Sequence, residues 1–79
     1  MSKIHILIYG QVQGVGFRYW VRRKMEELGI VGEVWNNDDD TAELQAEGPE
    51  EQIKELIKLC HAGPALARVK KVVILKEEK

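Results

Sequence analysis

The chain has 79 residues, 44% of them hydrophobic, and its 12 lysines and arginines face 13 acids for a formal net charge of −1. So short a chain buries a single modest core, which predicts one domain over residues 1–79. The balanced charge argues against a nucleic-acid partner, because it supplies no general basic field for a polyanion.

The cysteine content and the apolar runs bear on where the protein acts. Cys60 is the only cysteine, so an internal disulfide is excluded, and small secreted domains usually depend on disulfides. The apolar run after Met1 is too short for a signal peptide, and no stretch approaches the roughly 20 apolar residues of a membrane span. We therefore expect a cytoplasmic protein with no membrane partner.

The first half of the chain predicts a strand, a loop and a helix. Residues 4–9 are apolar and rich in β-branched side chains, which predicts a buried strand. Residues 10–16 contain three glycines, which favour an irregular loop. From Phe17 to Leu28 apolar residues recur at helical spacing opposite a charged face, and Gly29 is placed to cap the C-terminus of that helix.

The second half predicts a hairpin, a second helix and a final strand. Pro49 is followed by two acids, which is typical of a helix start, and an apolar stripe then runs from Ile53 to Cys60. The remaining predicted segments are a strand over 30–35, a turn over 36–40, a strand over 41–47, a loop over 61–67, a strand over 68–75 and a solvated tail over 76–79.

The predicted order β-α-β-β-α-β is the split βαβ pattern of an α+β, ferredoxin-like fold. In that fold two helices cover one face of a four-stranded antiparallel sheet with strand order 4-1-3-2. Strands one and two are then parallel with strand three between them, so Asn36 and the glycine loop lie at the same edge of the sheet. Two strand spacings, about 10 Å, separate them, which predicts a small-ligand site in the gap.

The glycine loop has the features of an anion site. Glycines allow successive backbone N–H groups to turn inward, and the loop ends at a helix N-terminus, where the helix dipole favours an anion. Arg18 stands in the first turn of that helix, and its planar guanidinium suits bidentate capture of phosphate. A tight strand-to-helix connection with no ligand is the alternative interpretation.

Two common phosphate-binding motifs do not fit this loop. The Walker motif needs lysine and serine or threonine after Gly16, and the dinucleotide motif needs glycine at the position of Tyr19. The segment Gly10-Gln11-Val12-Gln13-Gly14-Val15-Gly16-Phe17-Arg18 instead resembles the acylphosphatase signature, which has Val-Gln-Gly-Val before a small residue, phenylalanine and arginine. Further similar segments are Gly32-Glu33-Val34-Trp35-Asn36, Ala46-Glu47-Gly48 and Gly63-Pro64-Ala65-Leu66-Ala67-Arg68-Val69.

This resemblance implies a monomeric enzyme that hydrolyses small-molecule acyl phosphates to a carboxylate and inorganic phosphate without a metal or cofactor. Arg18 would hold the phosphoryl group and Asn36 would position the attacking water. The backbone N–H groups that complete the phosphate site would be those of Gly14, Val15, Gly16, Phe17 and Arg18.

The turn after Asn36 departs from the family pattern. Many members have glycine where this chain has Asp40, but aspartate tolerates the left-handed conformation better than most residues, so we expect the hairpin to form. The added acidic charge lies close to the predicted anion site and is screened by solvent and salt. Asn37 offers a second amide beside Asn36, and the spacing from Gly32 and Val34 favours Asn36.

Other functions remain open at this level. Acylphosphatase-like domains also occur within larger carbamoyl-handling proteins, so a non-catalytic or carbamoyl-phosphate-binding module is an alternative. A ferredoxin-like RNA-binding module is disfavoured by the negative charge and by the total of five aromatic residues. A metal-carrying module of the Cys-x-x-Cys type is excluded by the single cysteine.

Overall fold

The computed structural model describes residues 1–79. Its elements in chain order are β1 (Ser2–Gln11), α1 (Phe17–Glu27), β2 (Val31–Asn36), β3 (Ala42–Gly48), α2 (Glu50–Ala62) and β4 (Arg68–Glu78). All neighbouring strands are antiparallel, in the order β2-β3-β1-β4. This is the predicted strand order counted from the opposite edge, and the ferredoxin-like fold is confirmed.

The hydrophobic core lies between one face of the sheet and the two helices. Alternate residues of the central strands point to this face, and residues three or four apart on each helix cover it. The apolar stripes of the helices also include three partly buried residues that pack at the margin of the core, namely Trp20, Leu28 and Ile57. The buried hydrophobic residues of the two central strands and the two helices are Ile4, Ile6, Ile8, Phe17, Val21, Met25, Ala42, Leu44, Ala46, Ile53, Leu56 and Cys60.

The end of α1 sets the start of β2. Gly29 has a φ of 70°, its N–H donates to the Glu26 carbonyl at 3.2 Å, and the Ile30 N–H donates to the Met25 carbonyl at 2.8 Å. This pair of hydrogen bonds is a Schellman motif, in which a left-handed glycine reverses the chain. The predicted cap is therefore confirmed. Neither helix of the fold is long and apolar enough to cross a membrane.

The boundary of the glycine loop differs from the prediction. Gly10 and Gln11 belong to β1, where they pair with Val69 and Arg68 of β4. Gly10 has a φ of 133°, and a Cβ atom there would lie 2.1 Å from the Arg68 carbonyl oxygen. Glycine is needed at this position so that two strands can approach each other, and the loop itself comprises residues 12–16.

The predictions for two other boundaries were wrong. Lys76, Glu77 and Glu78 are not a solvated tail, because they extend β4 and pair with His5, Ile4 and Lys3. Sheet pairing uses the main chain alone, and charged side chains are common on an edge strand, where they stay in solvent. Likewise α2 continues through residues 61–62, which were predicted to be loop.

Candidate active site

The register of the sheet places the end of β2 beside the end of β1. Asn36 lies opposite Ala42, and Ala42 lies opposite Ile8. The three residues thus form one row across three strands, about 10 Å wide. Because β1 continues from Ile8 into the loop, Asn36 and the loop share one edge of the sheet, as the strand order predicts.

The loop presents a run of unpaired backbone donors. Gly14 and Gly16 have φ angles of 73° and 74°, left-handed values that favour glycine. The N–H groups of residues 14–16 donate no backbone hydrogen bond, and those of Phe17 and Arg18 lie in the first turn of α1, where no intrahelical acceptor exists. This helix start has neither a side-chain cap nor an acidic residue. Five consecutive N–H groups at the positive end of a helix therefore favour an anion.

Arg18 and Asn36 are the side chains free to meet that anion. Phe17 is 1% exposed and anchors the start of α1, whereas Arg18 is exposed and has no carboxylate within ion-pair distance. Asn36 is also exposed. It follows buried Val34 by two residues, so its side chain starts from the helix-bearing face of the sheet. The arginine and the amide thus lie on the same side of the sheet.

The amide of Asn37 is already occupied. Its Nδ2 donates to Thr41 Oγ1 at 2.9 Å and to Glu43 Oε1 at 3.0 Å. The side chain of Asn36 forms no hydrogen bond within the protein. Of the two amides that the sequence offers, Asn36 is the one available to a ligand.

Gln13 joins the loop to the hairpin between β2 and β3, a role that sequence reasoning missed. Its Nε2 donates to the carbonyl oxygens of Asn37 at 2.8 Å and Thr41 at 3.2 Å. These hydrogen bonds hold the loop over residues 12–16 against the turn that follows Asn36. From the sequence, Gln13 could be identified only as a member of the signature. Its partners lie 24 and 28 residues further along the chain, and no local pattern indicates contacts at that separation.

The turn over residues 37–41 is closed by its own side chains. Asp39 Oδ1 accepts from Thr41 Oγ1 at 2.6 Å and from the Thr41 N–H at 3.2 Å. These hydrogen bonds lower the pKa of Asp39, the hydroxyl contributing most. Asp40 adopts a φ of 71°, the left-handed conformation that aspartate was expected to tolerate here. The hairpin therefore forms with aspartate at this position.

Side chains on the open face of the sheet, opposite the helices, also support the hairpin between β2 and β3. Glu43 Oε2 accepts a hydrogen bond from His5 Nε2, and the centroid of the His5 ring lies 6.1 Å from that of the Trp35 ring. The pKa of Glu43 is lowered, chiefly by the hydrogen bond from Asn37 and then by His5. Trp35 precedes Asn36 in β2 and so points to the other face. It supports the strand and does not line the gap beside Asn36.

Two further residues have structural roles. Cys60 is buried in α2, and burial raises the pKa of its thiol to about 12, so it stays protonated within the core. Lys71 is exposed on β4, and its Nζ lies 4.5 Å from the centroid of the Tyr9 ring.

A cavity of about 360 Å³ lies elsewhere, on the open face of the sheet, beside His5, Gln45 and Lys76. The residues that line this cavity include none from the loop over 12–16.

Comparison with known proteins agrees with the fold and the motifs. The acylphosphatase family model matches residues 4–79. The chain is 46% identical over 76 residues to an acylphosphatase of Thermococcus kodakarensis, covering 96% of this chain and 84% of the relative. The crystal structure of acylphosphatase from Bacillus subtilis superposes with a TM-score of 0.95 at 33% identity, over 100% of this chain and 87% of that one. The crystal structure of T. kodakarensis HypF matches with a TM-score of 0.84 at 38% identity, over 100% of this chain and 10% of HypF. The chain belongs to the acylphosphatase family and is a hydrolase of that class.

Proposed function

We propose that the protein hydrolyses acyl phosphates to a carboxylate and inorganic phosphate by direct attack of water on phosphorus. The phosphoryl group is held by the Arg18 guanidinium and by the backbone N–H groups of residues 14–18, and Asn36 positions the water. One observation carries this proposal. The unpaired loop donors, a free guanidinium and a free amide are grouped at one edge of the sheet.

The reaction requires little beyond these groups. Water attacks phosphorus in line with the bond to the acyl oxygen, that bond breaks, and the carboxylate leaves as a stable anion that needs no general acid. Phosphoryl transfer of this kind is accelerated by positioning and by neutralising charge on the equatorial oxygens. The loop N–H groups and Arg18 supply the neutralising charge, and Asn36 supplies the orientation.

Arg18 and Asn36 suit these two tasks. A cation in the first turn of a helix is unfavourable with respect to the dipole, and a bound phosphoryl group between the two relieves that conflict through bidentate hydrogen bonds. The Asn36 side chain carries both an acceptor and donors. Its carbonyl oxygen accepts a hydrogen bond from the water, which directs a water lone pair toward phosphorus.

The test is hydrolysis of benzoyl phosphate in the presence of a chelator, followed by ultraviolet absorbance. We expect fast turnover by the parent and a fall in kcat/KM of about 100-fold or more in Arg18→Ala and in Asn36→Ala, typical of losing one transition-state hydrogen-bonding group. Arg22→Ala, one turn along the same exposed helix surface, is the matched control and should retain most activity. A folded parent no faster than buffer contradicts the proposal, and an active Asn36→Ala variant shows that the wrong amide was assigned.

A carbamoyl-phosphate-binding module is the second candidate, and the similarity to one tenth of HypF supports only the occurrence of this fold within a larger protein. In that case the folded parent leaves benzoyl phosphate intact but binds carbamoyl phosphate or inorganic phosphate in calorimetry. Arg18→Ala would then weaken this binding. The two candidates are separated by turnover, because both place the phosphoryl group at the same loop.

We further propose that the protein acts as a monomer in the cytoplasm, with no nucleic-acid partner. The proposed site draws all its groups from one chain, and the single cysteine is buried. Sedimentation equilibrium at the assay concentration should give the mass of one chain. A stable dimer under those conditions would contradict the monomer.

A further inference from the structure

We infer that the acyl group of the substrate lies in a cleft between the start of α1 and the loop that follows α2, where Arg23 binds a carboxylate at the far end of the acyl chain. This inference rests on the proposed function and adds a substrate class to it. The class is acyl phosphates of dicarboxylic acids.

The cleft adjoins the proposed phosphoryl site. It has a volume of about 380 Å³, and the residues around it are Gly16, Tyr19, Trp20, Arg23, Lys24 and Pro64. Gly16 also belongs to the loop whose N–H groups are unpaired. The loop after α2 packs against the start of α1, because a Cβ atom on Gly63 would lie 3.5 Å from Phe17 Cε1. The cleft therefore begins where the phosphoryl site ends.

The direction of attack points the acyl group toward this cleft. In an in-line displacement the entering water and the leaving oxygen lie on opposite sides of phosphorus. Asn36 ends β2 at one edge of the sheet, whereas Pro64 precedes β4 at the other edge. A leaving group opposite the Asn36-bound water faces away from β2, toward the side of the molecule where Pro64 lies.

The two flanks of α1 agree with that direction. Residues of a helix are about 100° apart around its axis, which places Arg18 and Arg22 on one flank and Trp20 and Lys24 on the other. Arg22 lines a cavity with residues 30–32, at the start of β2, and Trp20 lines the cleft with Pro64. A substrate lying across the N-terminus of α1 thus has its phosphoryl group on the Arg18 flank and its acyl group on the Trp20 flank.

The charges of the cleft favour a carboxylate. The Arg23 guanidinium lies 5.9 Å from the Tyr19 ring centroid and has no carboxylate partner. Lys24 Nζ, in contrast, is 3.3 Å from Glu27 Oε1, so its charge is partly neutralised. Tyr19 is 66% exposed and offers its ring to the acyl carbons. Arg23 is therefore the cation that remains free to bind a carboxylate.

The geometry of the helix brings Arg23 within reach of a short chain. Arg23 follows Gly16 by seven residues, a rise of about 10 Å. Side chains on a helix lean toward its N-terminus, so the guanidinium points back toward Gly16. A four-carbon acyl group with a terminal carboxylate bridges the remaining distance, and an acetyl group does not reach Arg23.

The experiment compares kcat/KM for succinyl phosphate and acetyl phosphate in the parent, Arg23→Gln and Arg22→Gln. We expect the succinyl-to-acetyl ratio to fall about tenfold in Arg23→Gln, as for the loss of one charge-assisted contact. Arg22→Gln removes the same charge from the opposite flank and should keep the parent ratio. The parent ratio should also fall as salt is added, because the contact is exposed and screened.

The outcomes separate the two levels of the proposal. A parent that hydrolyses both substrates, with a ratio that Arg23→Gln leaves unchanged or that Arg22→Gln lowers equally, overturns the acyl-group site and leaves the proposed function standing. A folded parent that hydrolyses neither substrate overturns the proposed function and this inference with it. Circular dichroism of both variants establishes that they are folded, as expected for exposed positions.

Discussion

Neighbouring asparagines at the end of β2 have different roles because successive residues of a strand point to opposite faces. The side chain of Asn36 projects from the helix-bearing face of the sheet, and its amide forms no hydrogen bond within the protein. Asn37 belongs to the turn and spends its amide on Thr41 and Glu43. The sequence offers two equivalent side chains here, and the hydrogen bonds of the folded hairpin distinguish them.

Gln13→Glu tests whether the loop must be held against the hairpin. The carboxylate would face the Asn37 and Thr41 carbonyl oxygens that Gln13 Nε2 now donates to, so attraction becomes repulsion. We expect kcat/KM to fall about tenfold or more at neutral pH, and unfolding in urea to show a loss of about 1–3 kcal/mol.

A pH series and a matched variant make this test specific. The defect should diminish as pH falls toward about 4.3, the ordinary pKa of glutamate, because a protonated carboxyl donates again. Gln11→Glu, at an exposed position at the end of β1, should behave like the parent. Equal effects of the two substitutions would indicate a general charge effect and no positioning role for Gln13.

Asp40→Gly should stabilise the protein. Asp40 has a φ of 71°, a conformation that strains most residues by about 1–2 kcal/mol, aspartate less than others, and glycine not at all. Part of the gain is offset by the greater freedom of glycine in the unfolded chain. We expect the free energy of unfolding to rise by up to about 1 kcal/mol in urea titrations.

Its control is Asp38→Gly. Asp38 is exposed and is not among the residues with positive φ, so glycine there relieves no strain and only loosens the unfolded chain. That variant should be no more stable than the parent. A rise in stability of the same size at both positions would show that the lost acidic charge, and not the backbone, is responsible.

At the level of elements, close pairing between β2 and β3 depends on Gly32. Its φ is 156°, and a Cβ atom there would lie 2.0 Å from the Gln45 carbonyl oxygen. The strand that presents Asn36 is an edge strand, so β3 is its only partner in the sheet. Any displacement at Gly32 is therefore transmitted along β2 to the proposed site.

Gly32→Ala should accordingly destabilise the protein severely. Because the clash is with backbone atoms that cannot turn aside, we expect a loss of about 3 kcal/mol or more, or failure to fold. Gly29→Ala is the matched control, since Gly29 also has a positive φ but has no atom within 4 Å of its added Cβ, and should lose only about 1 kcal/mol. Thermal melts compare the two, and equal losses would contradict the close-approach explanation.

Across the whole molecule, the core and the proposed site occupy different parts of the sheet. The core fills the space beneath the two helices, whereas the site lies where β1 and β2 end. The open face connects to the site through His5, Glu43 and Asn37. This network spans β1, β3 and the turn after Asn36, so its protonation affects the stability of the fold.

Stability should fall in acid partly because of Glu43. Its pKa is lowered in the folded protein, chiefly by the Asn37 hydrogen bond and then by His5. A lowered pKa means that the contribution to stability is present above the unfolded value, about 4.3. The contribution is lost as the pH falls through the folded value below it.

Glu43→Gln should therefore be less stable than the parent at pH 7 and show a shallower loss of stability in acid. His5→Gln should give an intermediate slope, because the Asn37 hydrogen bond remains. Urea midpoints between pH 7 and pH 3 measure these slopes. A Glu43→Gln variant with the same slope as the parent would exclude Glu43 as a source of the acid sensitivity.

The sequence alone determined the elements, their order and the signature loop. Strands with period two, helices with period 3.6 and turn glycines are local patterns, and the connection rules for βαβ units then limit the sheet to very few strand orders. Asp40 was correctly expected to tolerate a left-handed turn for the same local reason. The family resemblance of residues 10–18 likewise needs no tertiary information.

Only the tertiary structure decided which groups are free and which are engaged. Gln13 bonds across 24 residues to Asn37, the charged end of β4 pairs with β1, and Gly10 pairs as part of a strand although its neighbours suggested a loop. Each of these depends on contacts between distant segments, whose energies no local period encodes. The sequence supplied the residues of the proposed site, and the hydrogen bonds of the folded hairpin engage Asn37 and leave the amide of Asn36 free.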